Sequence, residues 1–95
     1  MKKDIRYTSA AWEDLTQHLE YIASQSEVGA VRWLEMVEAK CLLLRQFPEI
    51  GELMPRFGEG VRAAVVGRHI VFYRIVKDVV EVLRVLGGTQ DAKSL

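Results

Sequence analysis

Between Glu59 and Leu86 the chain reads EGVRAAVVGRHIVFYRIVKDVVEVLRVL, and this stretch limits the possible folds more than any other. Three apolar runs, Val61–Val66, His69–Val76 and Val79–Leu86, are separated only by Gly67-Arg68 and Lys77-Asp78. Their wealth of Val, Ile, Phe and Tyr suits a pleated surface. Connections that short force neighbouring strands to run antiparallel, so the stretch predicts a three-stranded meander. A sheet so apolar needs cover, and the residues before it supply helices able to give it.

Lys3–Tyr7 predicts a short first strand. Thr8 or Ser9 caps a helix that runs to about Ser24, with Ala11, Leu15, Leu19 and Ile22 at helical spacing and Trp12 widening the stripe. The pattern breaks over Ser24–Ser26, and a second helix begins at Glu27. Its stripe is Ala30, Leu34, Val37, Cys41 and Leu44, flanked by Val31 and Leu42, and Pro48 ends it near Phe47. So short a link predicts an antiparallel helical hairpin. Pro48–Gly60, punctuated by Gly51, Pro55, Gly58 and Gly60, connects helices to sheet. Gly87 and Gly88 end the last strand, and Thr89–Leu95 is a short polar tail. With 95 residues the chain is one domain over residues 1–95. The expected fold is α+β, an N-terminal helical hairpin packed on a small antiparallel β-sheet. Leu15, Leu34, Cys41, Phe72 and Leu83 are its expected core.

Strict alternation assigns the strand faces. In the last run Val80, Val82 and Leu86 share a face with Arg84, while Val79, Leu83 and Val85 share the other with Glu81. In the middle run Ile70, Phe72 and Val76 lie with Arg74, opposite Val71, Tyr73 and Ile75. Neither face is consistently polar, so the face away from the helices is expected to be covered by another chain. The hydrophobic fraction of 49% points the same way, or to a well-filled core.

Thirteen basic and thirteen acidic residues give zero formal net charge, which argues against broad nucleic-acid binding. The span Lys2–Glu38 carries most of the acids, while Arg56, Arg62, Arg68, Arg74, Lys77 and Arg84 crowd the sheet. A single cysteine, Cys41, excludes an intrachain disulfide and a cysteine-cluster metal site; in an apolar helical run it reads as a buried structural thiol. No secretory signal opens the sequence, and no apolar run approaches the roughly 20 residues that span a bilayer. A soluble cytoplasmic protein without membrane contact is expected.

No phosphate-cradling glycine loop or metal-ligand spacing is present, and no cofactor is expected. His18 and His69 are distant in sequence, and His18 reads as a packed or surface residue. A metal-free nuclease could orient a ribose hydroxyl and stabilise phosphoryl charge with arginine, histidine and tyrosine alone. Arg62, His69, Tyr73, Arg74 and Arg84 are the available groups. The structural reading has Tyr73 packed with its hydroxyl at the edge and the arginines paired with carboxylates of a partner.

Several blocks then carry a resemblance over nearly the whole chain. They are Thr8-Ser9-Ala10-Ala11 with Asp14-Leu15, Tyr21-Ile22-Ala23, and Phe47-Pro48-Glu49 with Gly51. Gly60-Val61-Arg62, Val71-Phe72-Tyr73-Arg74, and Val82-Leu83-Arg84-Val85-Leu86 with Gly88 and Asp91 complete the set. In order and spacing they resemble the ParE branch of the RelE/ParE toxin superfamily. The resemblance implies a helical hairpin on a small sheet and a toxin of a bacterial type II toxin–antitoxin module. It implies an inhibitor of DNA gyrase, not a catalyst, neutralised by a cognate antitoxin through which alone it meets DNA. It also makes Arg62, Tyr73, Arg74 and Arg84 the sheet-surface candidates for contact with antitoxin or target. The alternatives are a ribosome-dependent mRNA endoribonuclease of the RelE branch and a non-toxic binding module. The RelE branch resembles a highly basic protein with a tyrosine near its C-terminus; here no tyrosine follows Tyr73. The chain departs from the ParE pattern too, with Gly87 where a histidine is common and Gln90 where an arginine is common.

Overall fold

The computed structural model describes residues 3–88; the tail Thr89–Leu95, with Gln90 and Asp91, lies outside the described residues. The elements are β1 (Asp4–Tyr7), α1 (Ser9–Gln25), α2 (Glu27–Gln46), β2 (Glu52–Leu53), a 3-10 turn (Pro55–Phe57), β3 (Arg62–Val66), β4 (His69–Val76) and β5 (Val79–Gly87). Thr8 caps α1 by accepting the Ala11 N–H. Ser26 serves both helices: its N–H closes α1 on the Ile22 carbonyl, and its hydroxyl caps α2 by accepting the Gly29 N–H. One residue thus makes the hairpin expected from the Ser24–Ser26 break.

The sheet order is β1-β5-β4-β3-β2. The β3–β4–β5 meander is antiparallel, with Gly67 and Lys77 at positive φ in its two turns. The expected connection holds two further pieces, β2, which pairs with the start of β3, and the 3-10 turn. The first strand makes the sheet mixed: β1 lies parallel to β5, from Asp4 opposite Val79 to Tyr7 opposite Val82.

Strict alternation fails once. Phe72 pairs with Arg84 but Tyr73 pairs with Val82, so Leu83 is an extra residue, a β-bulge. Past it the faces exchange. Val80 and Val82 keep company with Val85 against the helices, and Leu86 lies on the other side with Phe57, Val61 and Phe72. This corrects the expected grouping of Leu86 with Val80 and Val82. In β4 the alternation holds: Val71 and Tyr73 meet the helical layer and Phe72 faces away.

Ala11, Leu15, Trp33, Val37 and Cys41 form the helical side of the main core against Val66, Val71, Val82 and Val85. Leu34 and Leu83, expected in the core, are half-buried. Trp33 takes the place of the former, and the latter is the bulge residue. Part of the second face receives cover from within the chain. Phe57 of the 3-10 turn stands edge-on to Phe72, ring centroids 5.3 Å apart, under the Arg56 guanidinium. Among the described residues no helix is long and apolar enough to cross a membrane.

Candidate functional site

Each of the four sheet candidates is committed to a partner inside the chain. Tyr73 is fully buried. Its hydroxyl accepts the Gly51 N–H at 2.9 Å and donates to the Pro48 carbonyl at 2.8 Å. Burial pushes its phenol above the ordinary value, against the Gly51 bond and the Arg62 charge. Arg62 reaches the same loop and donates to the carbonyls of Glu49 and Gly51. Tyr73 and Arg62 therefore pin the segment between α2 and β2. A sheet-surface contact for Tyr73 is corrected, because an enclosed side chain has no surface to offer.

Arg74 shares Glu81 with Arg6, in a ladder across β4, β5 and β1. Arg6 and Arg74, both bonded to the Glu81 carboxylate, outweigh its slight burial and hold its pKa below the ordinary carboxylate value. Arg74 is the most open of the four, with 48% of its side chain exposed.

Arg84 forms a fork with Asp14 of α1, Nε to Oδ2 at 2.6 Å and Nη2 to Oδ1 at 2.9 Å. The same carboxylate accepts the Val85 N–H at 3.0 Å. Burial raises the Asp14 pKa, but the Arg84 and Val85 bonds outweigh it and leave the carboxyl below its ordinary value. These contacts belong to a larger device. Beyond the end of β1, the free edge of β5 is finished by side chains of α1 and its cap. Thr8 donates to the Leu83 carbonyl, Asp14 accepts from Val85 N–H, and His18 Nε2 donates to the Val85 carbonyl at 2.9 Å. The bulge at Leu83 and this helical edge cover are one construction.

His18 also meets His69, which the sequence gave no reason to join to it. The imidazoles stand edge-to-face at 4.5 Å between centroids, and the Trp33 indole N–H donates to His69 Nδ1 at 3.1 Å. Burial and His18 together lower the His69 pKa, and because Nδ1 accepts the indole N–H, the neutral ring carries its proton on Nε2. These rings wall a cavity of about 860 Å³, completed by Tyr21, Ile22, Gly29, Arg68, Gly87 and Gly88. Gly87, the departure from the family pattern, lies in this wall as the strand partner of His69. The only signal for the site was two histidines and an off-stripe tryptophan, too little to connect α1, α2 and β4. Among the described residues no group of three metal-ligating side chains occurs.

Residues 5–92 match the family described as the ParE toxin of the type II toxin–antitoxin system, parDE, and the chain belongs to that family. Its fold is shared with the chromosomal ParDE toxin–antitoxin system from P. aeruginosa. That match has a TM-score of 0.74 and 18% identity over 90% of this chain and 96% of that one. The toxin–antitoxin complex RelBE2 from Mycobacterium tuberculosis matches at a TM-score of 0.68 and 24% identity, over 92% of this chain and 99% of that one. At these identities the likeness is one of fold. No curated protein matches the chain.

Proposed function

We propose that this ParE-family toxin inhibits DNA gyrase in the cytoplasm and is silenced by direct binding of a cognate antitoxin. One observation carries the choice of gyrase over messenger RNA. An RNA-cleaving surface needs an accessible acid or base and cations free to meet phosphoryl charge. On the sheet Tyr73 is enclosed, Arg62 and Arg84 are held by the chain's own carbonyls and carboxylate, and Arg74 shares a carboxylate with Arg6. The remaining candidate, His69, lies off this surface in the cavity with Arg68, its Nδ1 taken by Trp33. Zero formal net charge supports the same choice, since ribosomal RNA would be met by a strongly basic surface. The antitoxin follows from family membership and from structural relatives that are themselves toxin–antitoxin systems.

Expression in a bacterial host without antitoxin tests the target. The DNA-damage response should rise while transcripts on translating ribosomes stay full length. Truncated transcripts without that response would reassign the chain to the RelE type of activity. Neither effect would leave a non-toxic binding module.

A further inference from the structure

We propose that the cavity between the helical hairpin and the β3–β4 turn is the seat of a carboxylate side chain presented by the antitoxin. The inference rests on the antitoxin reading above and gives it a location. Three features define the occupant. Arg68, exposed at the tip of the turn beside Gly67, has no carboxylate partner among the described residues, unlike Arg6, Arg74 and Arg84. Among the described residues no acidic side chain lines the cavity, and Arg68 is its fixed charge. With Trp33 donating to Nδ1, His69 keeps an Nε2–H, a second donor for an anion.

The walls select further. Tyr21, Ile22 and Trp33 give the cavity an apolar and aromatic body, which suits the stem of a side chain better than a small hydrated ion. A metal fits poorly. While the indole bond holds, His69 has no lone pair to give, so Nδ1 of His18, whose Nε2–H is on the Val85 carbonyl, would be a lone ligand. The described residues hold no group of three metal-ligating side chains. Arg6, Arg74 and Arg84 are paired with carboxylates and Arg62 is turned onto backbone carbonyls inside the chain, so an acidic partner segment would be drawn to Arg68. The exposed ring of Tyr21 would close over its apolar stem.

The test titrates the product of the adjoining reading frame onto the wild-type chain and onto Arg68→Glu and Arg68→Lys. Arg68 is exposed, and unchanged thermal melting checks that the reversal leaves the fold intact. Arg68→Glu should weaken binding about tenfold or more, Arg68→Lys far less, and a matching charge reversal on the antitoxin should restore it. The Trp33 indole N–H resonance should shift when the wild-type complex forms. Equal affinity of wild type and Arg68→Glu, with an unmoved indole resonance, overturns the docking site while the antitoxin reading stands. A wild-type chain that does not bind overturns both. If removal of residues 89–95 abolishes the effect of Arg68→Glu, the cavity belongs to the chain's own end and the proposal fails.

Discussion

At the scale of single residues, Asp14 does the most with the least. One carboxylate holds the Arg84 fork and the Val85 N–H, joining α1 to the strand across 70 positions of sequence. Asp14→Asn keeps the shape and removes the charge, and should cost about 2–3 kcal/mol in urea unfolding. The pH dependence follows from the lowered pKa. Asp14 stabilises the fold fully above its ordinary value of 3.8, and that contribution is lost as pH falls through the folded value. The variant should lack this acid-sensitive part. Tyr73→Phe leaves the Gly51 N–H and the Pro48 carbonyl without their shared hydroxyl, a loss of about 1–3 kcal/mol in the same measurement. A Cβ at Gly51 would run into that hydroxyl, so glycine is required there by contact. Cys41 is buried, its thiol pushed up by burial and its sulfur 3.0 Å from the Tyr7 hydroxyl. Iodoacetamide should label it slowly in the native protein and fully after denaturation; rapid native labelling would contradict its place in the core.

Among the elements, helices and meander were legible because each carries a strong local signal. The stripe in α1, the Ser26 break, Pro48 after α2 and the two tight turns each state their meaning within a few residues. The bulge was not legible. Val82-Leu83-Arg84-Val85 contains no glycine or proline to mark an inserted residue, and only α1 shows why one is tolerated. Of the site, the four sheet candidates were found as residues but their partners were not, since Asp14, Glu81, Pro48 and Gly51 come from other elements. The histidine pair was missed for the same reason. Its contact joins α1, α2 and β4, and it predicts a pH response at this scale. The folded His69 pKa lies below the ordinary 6.5, so its contribution is present above pH 6.5 and declines as pH falls toward the folded value. Stability of the wild type should fall across that window, and His69→Gln should flatten the curve. An unchanged curve would show that burial and His18 do not hold His69 as described.

For the whole molecule, the high apolar fraction resolves into two parts. One fills three buried clusters, two between helices and sheet and the third under Phe57. The other stays outside: Trp12 and Tyr21 on α1, Val28 and Val31 on α2, and Phe47, Ile50 and Leu53 near β2 are all more than half exposed. A toxin held by a wrapping antitoxin segment would carry such surface, and that segment would order as it binds. The charge pattern agrees, with Arg6, Arg74 and Arg84 paired internally with Glu81 and Asp14 and Arg68 left to the outside. Under the proposed function the molecule acts by binding, and its target should respond in proportion to the toxin added. The most direct measurement is supercoiling of relaxed plasmid by purified gyrase as this chain is titrated in. Supercoiling should fall as toxin reaches parity with gyrase and return when antitoxin is added; undiminished supercoiling well above stoichiometric toxin would contradict gyrase as the target.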